Sequence, residues 1–411
     1  MSKTAPLFLI ALLLTVPAMA AEPAQVSEQA SALHREAIVL DTHLDTPALF
    51  ARPGWKILDR HSVANDFNQV DYPRMVEGGL DGGFWVIYTA QGPRTSEANL
   101  AARNAGLKRL VEIREMVAAN IDHFEIALTA ADAERIRNAG KRIVYISMEN
   151  ASPLASDPSL LSVYHDLGLR MLGIVHSSNN DFADSSTNPT GAEWKGLSPK
   201  GRALVEAANR MGILIDLSHA SNDTVDQVLE LSTAPVVLSH TSSFAITPHP
   251  RNLDDARIRK VAAKGGVIQV NSVAPFVHEM PNDPERRAAI GKIIEQFDAG
   301  DTLSPEQRVE IKRQIREFEE KNPLPQATFE DYMKHMLHIL NVAGPEHVGL
   351  GADWDGGGGV LGMEDITALP KITERLLQEG YTPEQVKGVL GGNLLRLIDA
   401  AQGLANRGSE Q

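Results

Sequence analysis

The sequence predicts a (β/α)8 barrel, in which eight parallel strands are joined by helical crossovers. Short apolar runs of strand length alternate with helix-like stretches over most of the chain. Most of these runs are almost continuously apolar, which is typical of parallel strands that helices cover on their outer face. Eight such runs occur, which is the number that closes this kind of barrel.

The strand candidates begin near residue 38 and end near residue 353. They are IVLDTHLD (38–45), GFWVIYT (83–89), RIVYISME (142–149), LRMLGIVH (169–176), GILIDLSH (212–219), APVVLSH (234–240), GVIQVNSV (266–273) and HVGLGAD (347–353). The stretches 98–120 and 203–211 between them have a helical pattern. A doubly wound open sheet is the rival fold, but no G-x-G-x-x-G motif opens a helix after the first strand.

One segment interrupts the alternation. Residues 278–323 are strongly charged and contain two helix-like stretches, 283–300 and 304–322. Because the segment lies between the seventh and eighth strand candidates, we interpret it as an insertion into a single domain that spans 21–411. Charged helices are ordinarily solvated, and a lid or a subunit contact is the alternative.

The N-terminus has the pattern of a secretory signal peptide. Lys3 precedes the apolar run PLFLIALLLTVPAMA, which ends in an A-x-A site at Ala18–Ala20. We therefore predict a signal peptide at 1–20 that is cleaved after Ala20, with an uncleaved anchor as the alternative. No later run of about 18 apolar residues suggests a membrane span.

Composition excludes several classes of function. The formal net charge is −14, which gives no sign of a basic surface for nucleic acid or anionic lipid. The chain has no cysteine, so disulfides and thiol catalysis are excluded and any metal must bind nitrogen or oxygen ligands.

Histidines and acids gather at the C-terminal ends of six strand candidates, where barrel enzymes place their chemistry. Each has an ordinary structural explanation when it is taken alone, but together they indicate one site. The residues are His43, Asp45, Glu149, His176, His219, His240 and Asp353.

Imidazoles and carboxylates without thiolates suit zinc, and also manganese, cobalt or iron. His43 and Asp45, two positions apart on one strand face, are expected to bind one ion, and His219 and His240 a second. Glu149 has two carboxylate oxygens and is expected to bridge the ions. Two ions would hold a hydroxide and polarise a carbonyl, although a single ion could use the same residues.

Further residues support this site. Asp41 is expected to orient a ligand histidine, and Asp216 to support its own strand end. Asp353 is placed to accept a proton and later donate it to a leaving amine, and His176 to donate to an oxyanion. Arg251, on the loop after the sixth strand, suits a substrate carboxylate, although a loop arginine is ordinarily a surface residue.

With these residues in view, the chain resembles the membrane dipeptidase (renal dipeptidase) family of zinc peptidases. The stretches that carry the resemblance run in order over most of the chain. They are DTHLD, GGFWVIYT, ISMEN, GLRMLGIVHSSNND, DLSHAS, SHTSSFAITPHPRN, VGLGADWDG and VKGVLGGNLLRL.

The resemblance implies a barrel hydrolase with two zinc ions bridged by Glu149. It implies that His176 steadies the tetrahedral intermediate, that Arg251 binds the carboxylate of the dipeptide, and that Asp353 handles the proton. Asp355 is a second candidate in GADWDG, but Asp353 fits the strand end better. Trp85 and Tyr88 fit core packing as well as substrate contact.

The family cleaves dipeptides, often with a D-residue on the C-terminal side, and some members open β-lactam rings. We therefore expect an exported zinc dipeptidase, with a metal-dependent amidase or β-lactam hydrolase as the alternative. A peptide- or metal-binding protein without turnover is the hypothesis from another class. The chain lacks the cysteines and the lipid-anchor signal of mammalian members, so it fits a bacterial periplasmic enzyme. Its expected substrates are small dipeptides, and a homodimer is a plausible assembly.

Overall fold

A computed structural model of the chain describes residues 26–281, 283–296 and 305–409. The signal peptide predicted for residues 1–20 lies outside these described residues, as does part of the charged segment 278–323. Among the described residues, no helix is both long enough and apolar enough to cross a membrane.

Eight parallel strands close into a barrel, which confirms the predicted fold. The described residues form nine strands, of which all but β3 belong to the barrel: β1 Leu40–Leu44, β2 Gly82–Tyr88, β3 Phe124–Ile126, β4 Arg142–Glu149, β5 Leu169–Gly173, β6 Leu214–Asp216, β7 Val237–Thr241, β8 Val267–Val270 and β9 Val348–Leu350. Neighbours follow the order β2-β1-β9-β8-β7-β6-β5-β4, and β2 also pairs with β4, so the ring is complete. Every predicted strand corresponds to one member of this ring.

The remaining strand, β3, was not predicted. It pairs in parallel with the first residues of β4, ahead of the stretch where β5 pairs with the same strand. Three residues with a glutamate in the middle are too few to show a strand periodicity, so β3 could not be predicted from the sequence.

Helices surround the barrel and connect its strands. They are α1 Glu28–Glu36, α2 Val63–Asp66, α3 Tyr72–Gly78, α4 Ser96–Ala119, α5 Ala130–Asn138, α6 Leu160–Asp166, α7 Pro199–Met211, α8 Asn222–Leu231, α9 Asp255–Ala263, α10 Ala274–Val277, α11 Pro284–Glu295, α12 Pro305–Lys321, α13 Phe329–Ala343, α14 Leu369–Gln378, α15 Pro383–Lys387 and α16 Asn393–Ser409. Short 3₁₀ turns span Thr46–Leu49, Ser152–Leu154, Pro345–His347 and Ile366–Ala368, and a π-helical turn spans Gly388–Gly392.

Local sequence signals set where these helices begin and end. The Ser198 side chain accepts a hydrogen bond from the N–H of Gly201 at the start of α7, and Pro199 follows as its first residue. Gly212 ends α7 in the left-handed conformation (φ 69°), where a side chain would be strained. Thr129 and Asp132 form a capping box at the start of α5.

The N-terminal end of the barrel is filled by apolar side chains and closed by α16. Seven strands contribute to an apolar layer that also contains Leu394 and Leu397 of α16; the strand residues are Leu40, Phe84, Ile143, Tyr145, Met171, Leu214, Val237 and Val267. Full burial of such a side chain contributes about 1.5–3 kcal/mol. The polar residues of the barrel are therefore concentrated at its C-terminal end.

The charged insertion contains the two helices α11 and α12. Helix α12 lies against the loop that follows β1. Arg316 Nη2 donates to the carbonyl oxygen of Val63 at 3.0 Å, and the guanidinium lies 4.3 Å from the ring centroid of Phe67. The insertion leaves the barrel after β8 and contacts the loop of β1, and β9 lies between these two strands.

Candidate active site and metal centre

The predicted site residues converge at the C-terminal rim of the barrel. His43 and His240 lie within β1 and β7, and Glu149 is the last residue of β4. The other four follow their strands by one to three residues; they are Asp45, His176, His219 and Asp353. The sequence placed all seven on one rim, and the structure brings them into one cluster.

Glu149 lies at the centre of this cluster. Its Oε2 atom lies 3.5 Å from His43 Nε2, and its Oε1 atom lies 3.0 Å from His219 Nε2 and 3.5 Å from His240 Nε2. The carboxylate thus faces the two halves of the predicted site with different oxygens. Burial opposes its ionisation, but the charges of His43 and His176 hold the pKa of Glu149 well below its usual range.

His219 and His240 form one half of the site. Their Nε2 atoms are 2.9 Å apart, and burial, with the nearby charge of Arg251, lowers the pKa of both imidazoles well below the usual range. Neutral imidazole is the form that ligates metals. The pair is therefore held in the protonation state that a metal ligand requires.

His43, Asp45 and Asp353 form the other half. The His43 Nε2 atom lies 3.5 Å from Asp45 Oδ2, and one donor atom from each of the three residues lies within 4.8 Å of the others. Burial lowers the pKa of His43, but the negative charges of Glu149 and Asp45 outweigh it and raise that pKa well above the usual range.

The donor set fits a metal. Three overlapping groups have one ligand atom per residue within 4.8 Å: His43–Glu149–His240, Glu149–His176–His219 and His43–Asp45–Asp353. All donors are imidazole nitrogens or carboxylate oxygens, as zinc and related divalent ions accept. The Nδ1 atom of His43 is buried without a hydrogen-bond partner among the described residues, so hydrogen bonding alone does not satisfy this cluster.

Asp353 occupies a tight turn after β9. It is 9% exposed, and burial together with the charges of Asp45 and Glu149 raises its pKa to about 7. Gly356 packs directly on this acid: a Cβ atom at Gly356 would lie 2.0 Å from Asp45 Oδ2 and 2.2 Å from Asp353 Oδ1. Only glycine fits between the turn and the two carboxylates.

His176 lies at the more open side of the cluster, with its side chain 23% exposed. Its Nε2 atom is 3.9 Å from Glu149 Oε1, and burial lowers its pKa. The ring of Tyr88 meets His176 edge-on at 5.2 Å between centroids and is partly exposed at the rim. Trp85, by contrast, is fully buried and contacts the rings of Phe50 and Phe124, so it belongs to the core.

Arg251 is buried, in contrast to an ordinary loop arginine. It is 4% exposed, its Nη2 atom donates to the carbonyl oxygen of His240 at 2.7 Å, and burial lowers its pKa to about 10. Its Nε atom is buried with no hydrogen-bond partner among the described residues. A buried guanidinium with an unsatisfied N–H can accommodate an anionic group.

A histidine of α13 holds the loop that carries Arg251. His335 is fully buried, and its Nδ1 atom accepts a hydrogen bond from the Ser243 N–H at 3.0 Å. The Nε2 atom therefore carries the proton, and it lies 3.2 Å from both the Val277 carbonyl oxygen and the Thr247 hydroxyl. Burial lowers the pKa of His335 to about 4, so the ring is neutral.

The two supporting aspartates act differently from each other. Asp41 accepts from the backbone N–H groups of His43 (2.8 Å) and Ala352 (3.0 Å), so it fixes the strand and not the imidazole ring. Asp216 accepts from the Ser239 hydroxyl at 2.5 Å, and the Ser239 oxygen lies 2.8 Å from His240 Nδ1. Because that hydroxyl donates to Asp216, His240 Nδ1 must donate, which leaves Nε2 with its lone pair toward the site.

Sequence reasoning missed several features of the site. Asn150, His219 and Asp353 have positive φ values of 71°, 66° and 66°, a conformation that costs non-glycine residues about 1–3 kcal/mol each. It also missed Ser239 and Gly356. The run of glycines after Asp355 was a signal for close packing at the turn, whereas nothing in the sequence indicated the hydroxyl relay.

A closed parallel barrel with imidazoles and carboxylates on its C-terminal rim defines a metal-dependent hydrolase. The family model described as membrane dipeptidase (peptidase family M19) matches residues 27–411. The chain belongs to this family, which makes it a dipeptidase of a metallopeptidase class and implies a metal.

Individual relatives agree with this assignment. Dipeptidase tcpJ of Claviceps purpurea is 28% identical over 357 residues, covering 85% of this chain and 74% of the relative. The probable dipeptidase PvdM from Pseudomonas aeruginosa has a structure with a TM-score of 0.79 and 26% identity, over 93% of this chain and all of that one. A metallo peptidase from Rhodobacter sphaeroides, liganded with a phosphinate mimic of the dipeptide L-Ala-D-Ala, has a TM-score of 0.69 and 25% identity, over 89% and 99% of the respective chains.

Proposed function

We propose that the protein hydrolyses dipeptides at the cluster around Glu149, with two zinc ions as cofactor. His43 and Asp45 would hold one ion and His219 and His240 the other, and Glu149 would bridge them. The observation that carries the proposal is the position of the Glu149 carboxylate, which presents Oε2 to His43 and Oε1 to His219 and His240. When bound, the ions would polarise the peptide carbonyl and lower the pKa of the attacking water.

The chain's own residues would bind the substrate and move its protons. Asp353, beside Asp45, accepts the proton of the attacking water and delivers it to the leaving amine. His176, on the open side of the cluster, donates a hydrogen bond to the carbonyl oxygen as negative charge develops there. Arg251 binds the terminal carboxylate of the dipeptide through its unsatisfied Nε–H.

A D-residue on the C-terminal side of the dipeptide belongs to this proposal. Its support is the Rhodobacter sphaeroides relative, which was solved with a mimic of L-Ala-D-Ala. We further propose that residues 1–20 direct export to the bacterial periplasm. This proposal is supported by Lys3, the apolar run and the A-x-A site at the N-terminus. Small dipeptides are the proposed partners, and a homodimer is the proposed assembly.

The decisive experiment combines a metal count per chain with a substrate panel. Purified protein is loaded with zinc, its metal content is measured, and its activity is compared on L,L- and L,D-dipeptides, β-lactams and acylated amino acids. We expect two zinc ions per chain and turnover of dipeptides. Turnover confined to lactams or acylated amino acids would favour the amidase alternative, and dipeptide binding without cleavage would favour a binding protein.

Glu149→Gln tests the bridge. The amide keeps the shape but loses the charge and one acceptor oxygen, so we expect loss of at least about 100-fold in kcat and a lower metal content, with an unchanged circular dichroism spectrum. Full activity at full metal content in this variant would refute the role of Glu149.

A further inference from the structure

The second aspartate of the GADWDG motif has no role in the proposed chemistry, although it is half-buried and both of its carboxylate oxygens are hydrogen-bonded. Asp355 lies two residues after Asp353 and is also in the left-handed conformation, with φ values of 65° and 66° respectively. Its Oδ2 atom accepts a hydrogen bond from the Thr46 hydroxyl at 2.7 Å, and Thr46 follows Asp45 directly. Asp355 therefore connects the two segments that carry the paired acids.

Gln69 completes this connection from the far end of the loop after β1. Its N–H donates to Asp355 Oδ1 at 2.7 Å, and its Oε1 atom accepts from the Asp355 N–H at 2.7 Å. Its Nε2 atom donates to the carbonyl oxygens of Gly358 (2.7 Å) and Glu364 (3.0 Å). We call the contacts among Thr46, Gln69 and Asp355 the clasp.

The turn that the clasp holds has little freedom to move without disturbing the acids. The Asp353 carbonyl oxygen accepts from the N–H groups of Gly356 and Gly358, which closes the turn on itself. The Asp45 N–H donates to the Trp354 carbonyl oxygen at 2.9 Å. Gly356 leaves no room for even a Cβ atom beside the carboxylates of Asp45 and Asp353.

Left-handed backbone at two non-glycine residues costs free energy, so this turn persists only where its surroundings hold it. The clasp supplies three hydrogen bonds to Asp355 alone, two to its carboxylate and one from its N–H. We propose that Asp355 is a positioning residue that, through Thr46 and Gln69, sets the position of Asp353 against Asp45. The inference rests on the proposed function only because that function gives Asp353 its role in proton transfer.

Two substitutions at Asp355 separate positioning from simple loss of a residue. Asp355→Ala removes both accepting oxygens, and we expect kcat on a dipeptide to fall about 100-fold with KM within about threefold, as for a misplaced reacting group. Asp355→Asn keeps one oxygen for the Gln69 N–H, and the Thr46 hydroxyl can reverse and accept from the new amide, so it should restore most of kcat. Gln69→Ala, which keeps its backbone N–H, should fall between the two.

Amide hydrogen exchange of the metal-free protein supplies a measurement that does not depend on activity. We expect exchange at Gly356 and Gly358 to be at least about 10-fold faster in Asp355→Ala and near the wild-type rate in Asp355→Asn. Asp365→Asn is the matched control. Asp365 lies in the same loop but caps the turn Ile366–Ala368 and pairs with Arg74, so its loss should lower stability while leaving kcat and the exchange of both glycines unchanged.

Either of two results would overturn the proposal: wild-type kcat in Asp355→Ala, or a reduced kcat with unchanged exchange at Gly356 and Gly358. If the wild-type protein cleaves no dipeptide, the proposed function fails by itself. The exchange rates still decide whether the clasp holds the turn, and without acceleration in Asp355→Ala the clasp is refuted.

Discussion

Gly356→Ala is the substitution that probes the paired acids most directly. A Cβ atom at this position would lie 2.0 Å from Asp45 Oδ2 and 2.2 Å from Asp353 Oδ1, whereas real Cβ atoms do not approach other atoms within 3.0 Å. The carboxylates must therefore retreat by about 1 Å, or the turn must move by the same amount. A displacement of this size at reacting groups costs about 100-fold in rate.

We expect Gly356→Ala to lower kcat/KM on a dipeptide by about 100-fold and to lower the free energy of unfolding by about 1–3 kcal/mol, the usual cost of overpacking. Steady-state kinetics measure kcat/KM and urea unfolding measures the free energy of unfolding, and the metal content of each protein is determined alongside. Gly403→Ala is the control. Gly403 lies in α16, and a Cβ atom at this position would meet nothing within 4 Å. Wild-type kcat/KM in Gly356→Ala would refute the inference that these carboxylates act from their present positions.

Two further predictions concern the histidines. Ser239→Ala should weaken metal binding about 10- to 100-fold in a chelator competition, because His240 loses the acceptor that fixes its tautomer, and Ser239→Thr should restore it; equal affinities would contradict the relay. Folding lowers the pKa of His335 from 6.5 to about 4. Between these two pH values the imidazole is protonated in the unfolded chain and neutral in the folded protein, so the free energy of unfolding falls as the pH falls. This loss amounts to roughly 3 kcal/mol by pH 4, and urea unfolding should show it in the wild type and not in His335→Gln; parallel stability curves for the two proteins would contradict it.

The fold could be predicted because the same sequence pattern, an apolar run of strand length, is repeated along the chain. Each barrel strand supplies its own apolar run, so an error in one boundary leaves the count unchanged. The observed strands are shorter than predicted where the polar residues begin: β6 ends at Asp216 and β5 at Gly173. His219 and His176 therefore lie on the loops beyond their strands, which places them above the barrel and not on its wall.

The residues that form the site could be predicted in the same way, but the burial and the hydrogen bonds that hold them in place could not. Side-chain type and strand-end position indicated His43, Glu149 and their neighbours. Burial of Arg251 depends on how the loop after β7 folds back, which no local pattern encodes. Likewise, Asp41 accepts a hydrogen bond from the Ala352 N–H, which becomes its neighbour only when β1 and β9 pair.

The apolar layer at the N-terminal end of the barrel affects how substrate enters and how products leave the site. Because α16 covers that end, the described residues leave the cluster open to solvent at the rim where the strands terminate. A dipeptide and the two amino acids made from it must then use one common opening in succession. Each released amino acid leaves past the same groups that receive the next substrate, so entry and exit compete at every turnover.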